Sequence, residues 1–435
     1  MKLSGWGRHP VVDAGQACPT GESDALALLA SLRDDQSLIP RGLGRSYGDS
    51  SLAPLVLDTG NMDHLLAFDT DSGLLRCEAG VSLATLLQVF VPRGWFPAVT
   101  PGTKFVTVGG AIASDVHGKN HHVDGSFSDH VTEMRVATPE HGVVTCSRSE
   151  HPELFHATAG GMGLTGLILD ATIRLKRIQS AAVIETTLKA ANLQEALDLF
   201  EAHRSATYSV AWIDCLTAGT AMGRSIISLG EHADQGALVA HGSQKIAVPV
   251  DLPGALLNPL SIRAFNTLYY QRVRRKTSTA RRHYDPCFYP LDGIANWNRM
   301  YGRRGFVQYQ LALPQDAGVA GLREVLTRIV QSGRGSFLAV LKAFGDGNAN
   351  PLSFPIRGYT LALDFKLGAG VLELLDELDA IVIDHGGRLY LTKDARMSAA
   401  TFRRCYPAWE AFAEVRRRYG ADRVFHSQQS RRLEI

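Results

Sequence analysis

The run GMGLTG, residues 161–166, has the form G-x-G-x-x-G, and the ten residues after it decide the fold. A dinucleotide-binding turn of that form leaves a strand and opens a helix, so that a pyrophosphate meets the helix N-terminus. Here LILDATIRLK, residues 167–176, comes next, with apolar alternation and β-branched residues that read as a strand. The segment before it, HPELFHATAG (151–160), reads as a short helix. The order is helix, glycine loop, strand, and the nicotinamide-type fold is excluded.

Upstream, the texture is of short strands and glycine turns. SLIPRGLGRSYGDSSL (37–52) reads as strand, glycine turn and polar turn, and HLLAFDTDSGLLRCEAG (64–80) as strand, turn, strand. In SLATLLQVFVPRG (82–94), Leu83, Leu86, Leu87 and Phe90 share one helical face that Ser82 can cap. HVTEMRVATPEHGVVTCS (130–147) is a hairpin candidate turning near Pro139 to Gly142. After about residue 178 strands and helices repeat: strands at SVAWIDCLT, RSIISLGEH, FVQYQLALP, SFLAVLKAFG and YTLALDFKL, helices from Asn192, over AGVAGLREVLTRIVQSG closed by Gly333, and over GVLELLDELDAIVIDHGG. That pattern implies an antiparallel sheet with helices on one face. The stretch from 240 to 300 reads as loop-rich and basic, and FRRCYPAWEAFAEVRRRYG (402–420) as helical.

With 435 residues the chain is expected to hold two domains. Lys and Arg number 45 against 43 Asp and Glu, a balance that points to no general polyanion or nucleic-acid binding. One stretch is strongly basic, RVRRKTSTARRHYD (272–285), read either as a solvated loop or as a contact for phosphate or a membrane surface. Six dispersed cysteines without a CxxC pair fit a reducing compartment better than a disulfide framework. No apolar signal core or membrane-length run is visible, so a soluble, cytoplasmic protein with at most peripheral membrane contact is expected.

Two more glycine stretches carry chemistry. In RGLGRSYGDSS (41–51), Gly42, Gly44 and Gly48 allow tight turns in which successive N–H groups converge on an anion. Arg41, Arg45 and the serines suit a diphosphate. In TPGTKFVTVGGAIASDVHGKN (100–120), Gly109, Gly110 and the small residues after them leave bare backbone, suited to a flat aromatic ligand or to close packing of two segments. The next residues gather His117, His121, His122 and His130 with Asp115, Asp124 and Asp129. His117 and His121 are four apart, but the neighbouring glycines argue against a helix and no H-E-x-x-H is present, so no metal site is expected.

Taken in order, these loops resemble the vanillyl-alcohol-oxidase type of FAD-binding oxidoreductase and, within it, the decaprenylphosphoryl-β-D-ribose 2′-oxidase family. The resembling segments run from near residue 5 to near residue 430 and include RGLGRSYGD, TPGTKFVTVGGAIASDVHGKNHHVDGSF, LFHATAGGMGLTGLI, YSVAWID, NWNRMYGRRGFVQYQ, PLSFPIRGY and LYLTKDAR. The resemblance implies an α+β, two-domain PCMH-type FAD-binding fold: residues 1–177 completed by 388–435, with an inserted antiparallel-sheet substrate domain at 178–387. It implies that Arg41, Gly42, Leu43, Gly44, Arg45, Ser46, Tyr47, Gly48 and Asp49 hold the FAD diphosphate. Gly102, Thr107, Val108, Gly109, Gly110, Ser114, Asp115, Val116 and His117 would line the flavin, with Ile168 and Tyr390 nearby. Lys393 matches the family's active-site lysine, while Trp212, Tyr301, Gln308, Gln310 and Lys342 match substrate-pocket positions, with Lys119 close by. Two departures are visible. Gly44-Arg45-Ser46 stands where related oxidases carry a flavin-tethering histidine, implying non-covalent FAD. Ala362 stands where the mycobacterial enzymes have a cysteine attacked by covalent inhibitors.

The implied reaction oxidises a secondary hydroxyl of a lipid-linked sugar phosphate, the 2′-hydroxyl of a polyprenyl-phosphoryl ribose, to a ketone. An NADH-dependent keto-sugar reductase would complete an epimerisation towards an arabinose donor for cell-envelope glycans. Lys393 would act as a base if its pKa is lowered, or else as a charged group polarising the hydroxyl. His117 is open between a hydrogen bond to the ligand and a structural role. Gln308 and Gln310 flank Tyr309, so on a strand both amides share a face. The alternatives are a sugar or aldonolactone oxidase of the same fold acting on a non-lipid substrate, and a binding protein without flavin.

Overall fold

The computed structural model describes residues 1–435 except 34 and 245. Three sheets organise what positions the site. A small parallel sheet holds β1 (Gly15–Ala17), β2 (Ile39–Arg41) and β3 (Leu55–Asp58), with β3 central. A six-stranded antiparallel sheet comes next: β4 (Leu65–Phe68), β5 (Leu74–Glu78), β6 (Trp95–Pro97), β7 (Val131–Thr138), β8 (Gly142–Ser147) and β9 (Leu167–Arg177). Its order is β8-β7-β9-β5-β4, with β6 paired to the end of β9. The strand read after GMGLTG is therefore the centre of this sheet, and its register puts Ile168 opposite Val136. Between β5 and β6 runs α1 (Leu83–Phe90), capped by Ser82, whose Oγ accepts from Thr85 N at 3.0 Å.

The largest sheet has eight antiparallel strands: β10 (Ala182–Ala190), β11 (Tyr208–Ile213), β12 (Ser225–His232), β13 (Thr277–His283), β14 (Phe306–Pro314), β15 (Ala339–Phe344), β16 (Gly358–Lys366) and β17 (Arg388–Leu389). They stand in the order β13-β10-β12-β11-β15-β16-β14-β17. Alternation along the strands sorts the sheet into two faces. Ala211, Ile213, Ile227, Leu229, Val307, Tyr309, Leu311, Leu341, Leu361 and Leu363 belong to one core, shared with helices at 193–202, 315–332 and 371–384. Val210, Trp212, Ile226, Ser228, Gln308, Gln310, Val340 and Lys342 point the other way and line a cavity. Segment 388–389, assigned by the sequence to the flavin half, pairs with the edge of this sheet through Leu311 and Ala312.

The 240 to 300 stretch departs from the loop expected there. Pro259–Gln271 is a helix, and residues 277–283 of the basic run form the edge strand β13, paired with β10. Asn258 caps the helix by accepting from Leu260 N and Ser261 N at 2.9 and 3.0 Å, and Pro259 sits in the first turn. The C-terminal run is two helices, Ala399–Cys405 and Trp409–Arg418. Pro407 lies between them, lacking an N–H and crowding the residue before it. No helix among the described residues is long and apolar enough to cross a membrane.

Candidate active site

The cavity, of about 1000 Å³, lies between the glycine loops and the open face of the eight-stranded sheet. Each loop closes one wall for a local reason. In the first, Arg41 to Tyr47 all line the cavity, and among the described residues the amides of 42 to 46 donate to no backbone carbonyl. Gly44 has φ +62, and a Cβ there would meet the Arg41 guanidinium at 2.2 Å. Arg41 folds beneath its own loop, donating to the Ser4 carbonyl at 2.7 Å and to Ser51 at 3.2 Å. Arg45 lies over the Trp6 ring at 4.0 Å. The arginines brace the loop and leave its amides available to an anion.

The second loop contains a helix that the sequence reading did not foresee, Val108–Ala113, opened by Thr107, whose Oγ1 accepts from Gly110 N at 3.1 Å. Such a cap is worth about 1 kcal/mol. Of the two readings of Gly109-Gly110, close packing has a contact behind it at Gly109. A Cβ on Gly109 would meet the Ala79 Cβ at 2.8 Å, so Gly109 permits close packing on the end of β5. Gly110 meets only its own capping hydroxyl, and a Cβ on Gly102 would meet nothing within 4 Å. Gly102, Thr107, Gly109, Gly110, Ser114, Val116 and His117 line the cavity together with Ile168 and Tyr390. Uncommitted amides beside bare backbone fit a diphosphate attached to a planar ring, as in FAD.

Lys393 reaches the cavity on the turn after β17. Its ammonium lies 3.9 Å from the Tyr47 ring centroid and, among the described residues, is in no ion pair or hydrogen bond. Burial lowers its pKa to about 8, opposed by the negative charge of Asp364. Asp364 itself is pushed up to about 7 by burial, moderated by hydrogen bonds from Gln308 Nε2 at 2.5 Å and Tyr301 Oη at 3.1 Å. On the sheet floor, Gln310 Nε2 donates to Thr360 Oγ1 at 3.2 Å and to His117 Nε2 at 3.0 Å. The single proton of neutral His117 then lies on Nδ1, 3.2 Å from Lys342 Nζ, which meets it as a neutral amine. Burial, and repulsion from Lys342 whenever that amine is protonated, push His117 well below its ordinary value. Burial, with Lys119 and Lys393, lowers Lys342 to about 7.

Of the residues singled out from sequence, Lys119, Trp212, Gln308, Gln310, Lys342, His117 and Lys393 line this one cavity, as do Leu43, Gly42 and Ser46. Five stand behind its wall. Gly48 abuts the Asp394 carbonyl, and Asp49 turns to Arg432 at 2.8 Å. Val108 is in the core under its helix. Asp115 is buried, accepting from Asn348, Asn350 and Ser353 at 2.8, 3.0 and 2.6 Å, and so ties down the strap at 348–353. Tyr301 stacks on Phe306 at 4.1 Å and reaches the site only through Asp364. The remaining histidines are structural: His121 Nδ1 accepts from Gly345 N, and His122 and His130 bond backbone carbonyls. No group of three or more metal-ligating side chains occurs among the described residues. Ala362 lies opposite Gln310. Sequence reading missed Asp364, Trp6 and the Tyr47 face beneath Lys393; the one signal was an acidic residue inside the otherwise apolar run LALDF.

Residues 14–147 match the family described as FAD binding domain. Over its full length the chain is 37% identical to decaprenylphosphoryl-beta-D-ribose oxidase of Mycolicibacterium smegmatis, covering 97% of that protein. It is 34% identical, over 81% of the chain, to the whole of an uncharacterised protein of Streptomyces coelicolor. L-gulonolactone oxidase of Bos taurus is 27% identical over 42% of each chain.

Proposed function

The chain belongs to the decaprenylphosphoryl-β-D-ribose oxidase family of FAD-binding oxidoreductases acting on CH–OH groups, and from that premise we propose that it oxidises the 2′-hydroxyl of a polyprenyl-phosphoryl-β-D-ribose to the 2′-ketone. The observation that carries this reading is the unpartnered Lys393 amine on the Tyr47 face, aimed into a cavity walled by bare glycine backbone on one side and paired glutamines on the other. FAD, when bound, supplies the two-electron acceptor that no side chain provides. The amides of Gly42 to Ser46 would hold its diphosphate, and Gly109, Gly110, Ser114, Ile168 and Tyr390 would hold its ring. With no histidine in the Gly44-Arg45-Ser46 turn, it is held without a covalent bond.

The protein's own part is position and proton transfer. Gln308 and Gln310, one pleat apart, offer amides to the sugar hydroxyls. Lys393, lowered by burial to about 8 so that a usable fraction is neutral near physiological pH, accepts the hydroxyl proton as the carbinol is oxidised. Lys342, fixed by His117, orients the sugar, and Arg272 and Arg275 at the mouth meet the phosphate. We assign residues 1–177 with 388–435 to the cofactor unit and 178–387 to the substrate unit. The product is a keto sugar, so a separate NADH-dependent reductase is the partner that would complete an epimerisation.

The test is the visible spectrum of the purified protein, followed anaerobically after adding polyprenyl-phosphoryl ribose. A flavin spectrum that bleaches supports the reading. One that stays unbleached with this substrate but bleaches with a free aldonolactone overturns the substrate while leaving the oxidoreductase class in place.

A further inference from the structure

The helix Pro259–Gln271 is apolar on two faces. Inward, Ile262 and Asn266 are buried, with Asn266 Nδ2 donating to Asp214 Oδ1 at 2.9 Å. Outward, Leu260, Ala264 and Leu268 recur every fourth residue and are all exposed, Leu260 at 78% and Leu268 at 69%. Phe265 beside them is 42% exposed, and Leu256 in the preceding turn 55%. A row of leucines in water contributes nothing to the fold, and its continuity marks a surface that something covers. The segment from 259 to 284 also carries seven cations (Arg263, Arg272, Arg274, Arg275, Lys276, Arg281 and Arg282) and no carboxylate. Among the described residues the only ion pair these seven make is Arg282 with Glu185, at 2.9 Å. The same stretch forms the rim of the cavity, which Tyr269, Arg272, Val273, Arg274 and Arg275 line.

We propose that the outward face of this helix, with the basic turn after it, docks on an anionic lipid bilayer and seats the mouth of the cavity against the membrane. A helix lying in the interface needs an apolar stripe for the acyl boundary and flanking cations for the headgroups, and both are present on one short segment. A nucleic acid would meet the charge and leave the leucine stripe in water. The surface is independent of which sugar is oxidised.

The experiment is flotation of the full-length flavin-bearing protein with vesicles of phosphatidylcholine and phosphatidylglycerol, against phosphatidylcholine alone, without sugar substrate. Binding to the anionic vesicles is expected to be at least about tenfold tighter and to weaken with salt. The double variant Leu260→Glu, Leu268→Glu is expected to lose that binding with its visible spectrum and unfolding temperature unchanged. A milder Leu268→Ser variant guards against misfolding and should bind more weakly than the wild type. Equal binding to neutral vesicles, full binding by the double variant, or a Leu268-dependent dimer in ultracentrifugation without vesicles overturns the proposal. If docking holds while polyprenyl-phosphoryl ribose fails to bleach the flavin, only the substrate reading falls.

Discussion

Lys393 and Asp364 are two buried ionisable groups, at about 8 and about 7, and the charge on each favours the charged form of the other. A base must be deprotonated to work, so kcat/KM is expected to rise with pH through about 8 and to fall as the ammonium forms below it. Replacing Lys393 with Ala should lower the rate of flavin reduction by about 10²–10⁴-fold while FAD content is kept. Asp364→Asn removes the negative charge that favours the ammonium, so the acidic limb should move to lower pH; stopped-flow reduction across pH checks it. A rate that instead falls as pH rises through about 8 would show Lys393 working as a charged group. His117 illustrates what sequence leaves open: both its ring nitrogens meet protein side chains, Gln310 on one and Lys342 on the other, and no local pattern contains those partners.

At the scale of elements, the glycine loop and the lysine turn are in contact. Tyr47 N donates to Thr392 O at 3.0 Å, and a Cβ on Gly48 would lie 1.8 Å from the Asp394 carbonyl oxygen. Gly48→Ala must push the two apart. We expect a loss of about 1–3 kcal/mol in unfolding free energy, together with weakened FAD retention, read from the unfolding temperature and the flavin-to-protein absorbance ratio. The alternating strands of the large sheet were legible because one face is apolar and the other is not, which is why Gln308 and Gln310 could be placed on one side in advance. The helix Pro259–Gln271 was not, because apolar residues on both of its faces blur the single-stripe period; its Asn258-Pro259 start was the overlooked sign. Asp364 becomes meaningful only when β16 pairs with β14 and sets it opposite Gln308. No local pattern contains that pairing.

Across the whole molecule, Arg432 closes the site from behind. It bonds Asp49 below the glycine loop and Asp394 beside the lysine, each at 2.8 Å, and both carboxylates are almost fully buried. Arg432→Met would leave two buried negative charges facing each other, at a cost of about 3–5 kcal/mol. Denaturant unfolding should show that loss, and converting Asp49 and Asp394 to Asn in the same background should restore most of it. The motifs RGLGRSYGD and LYLTKDAR made the cofactor loop and the lysine recognisable separately; the clamp joining them depends on side chains from three distant segments. Asp49 and Arg432 are 383 residues apart in sequence. A ribosome-bound chain therefore lacks a finished cofactor cradle until Arg432 has emerged from the exit tunnel, long after the glycine loop was made. The glycine loop and the lysine turn are therefore clamped together only late in synthesis, once the last of the three segments is available.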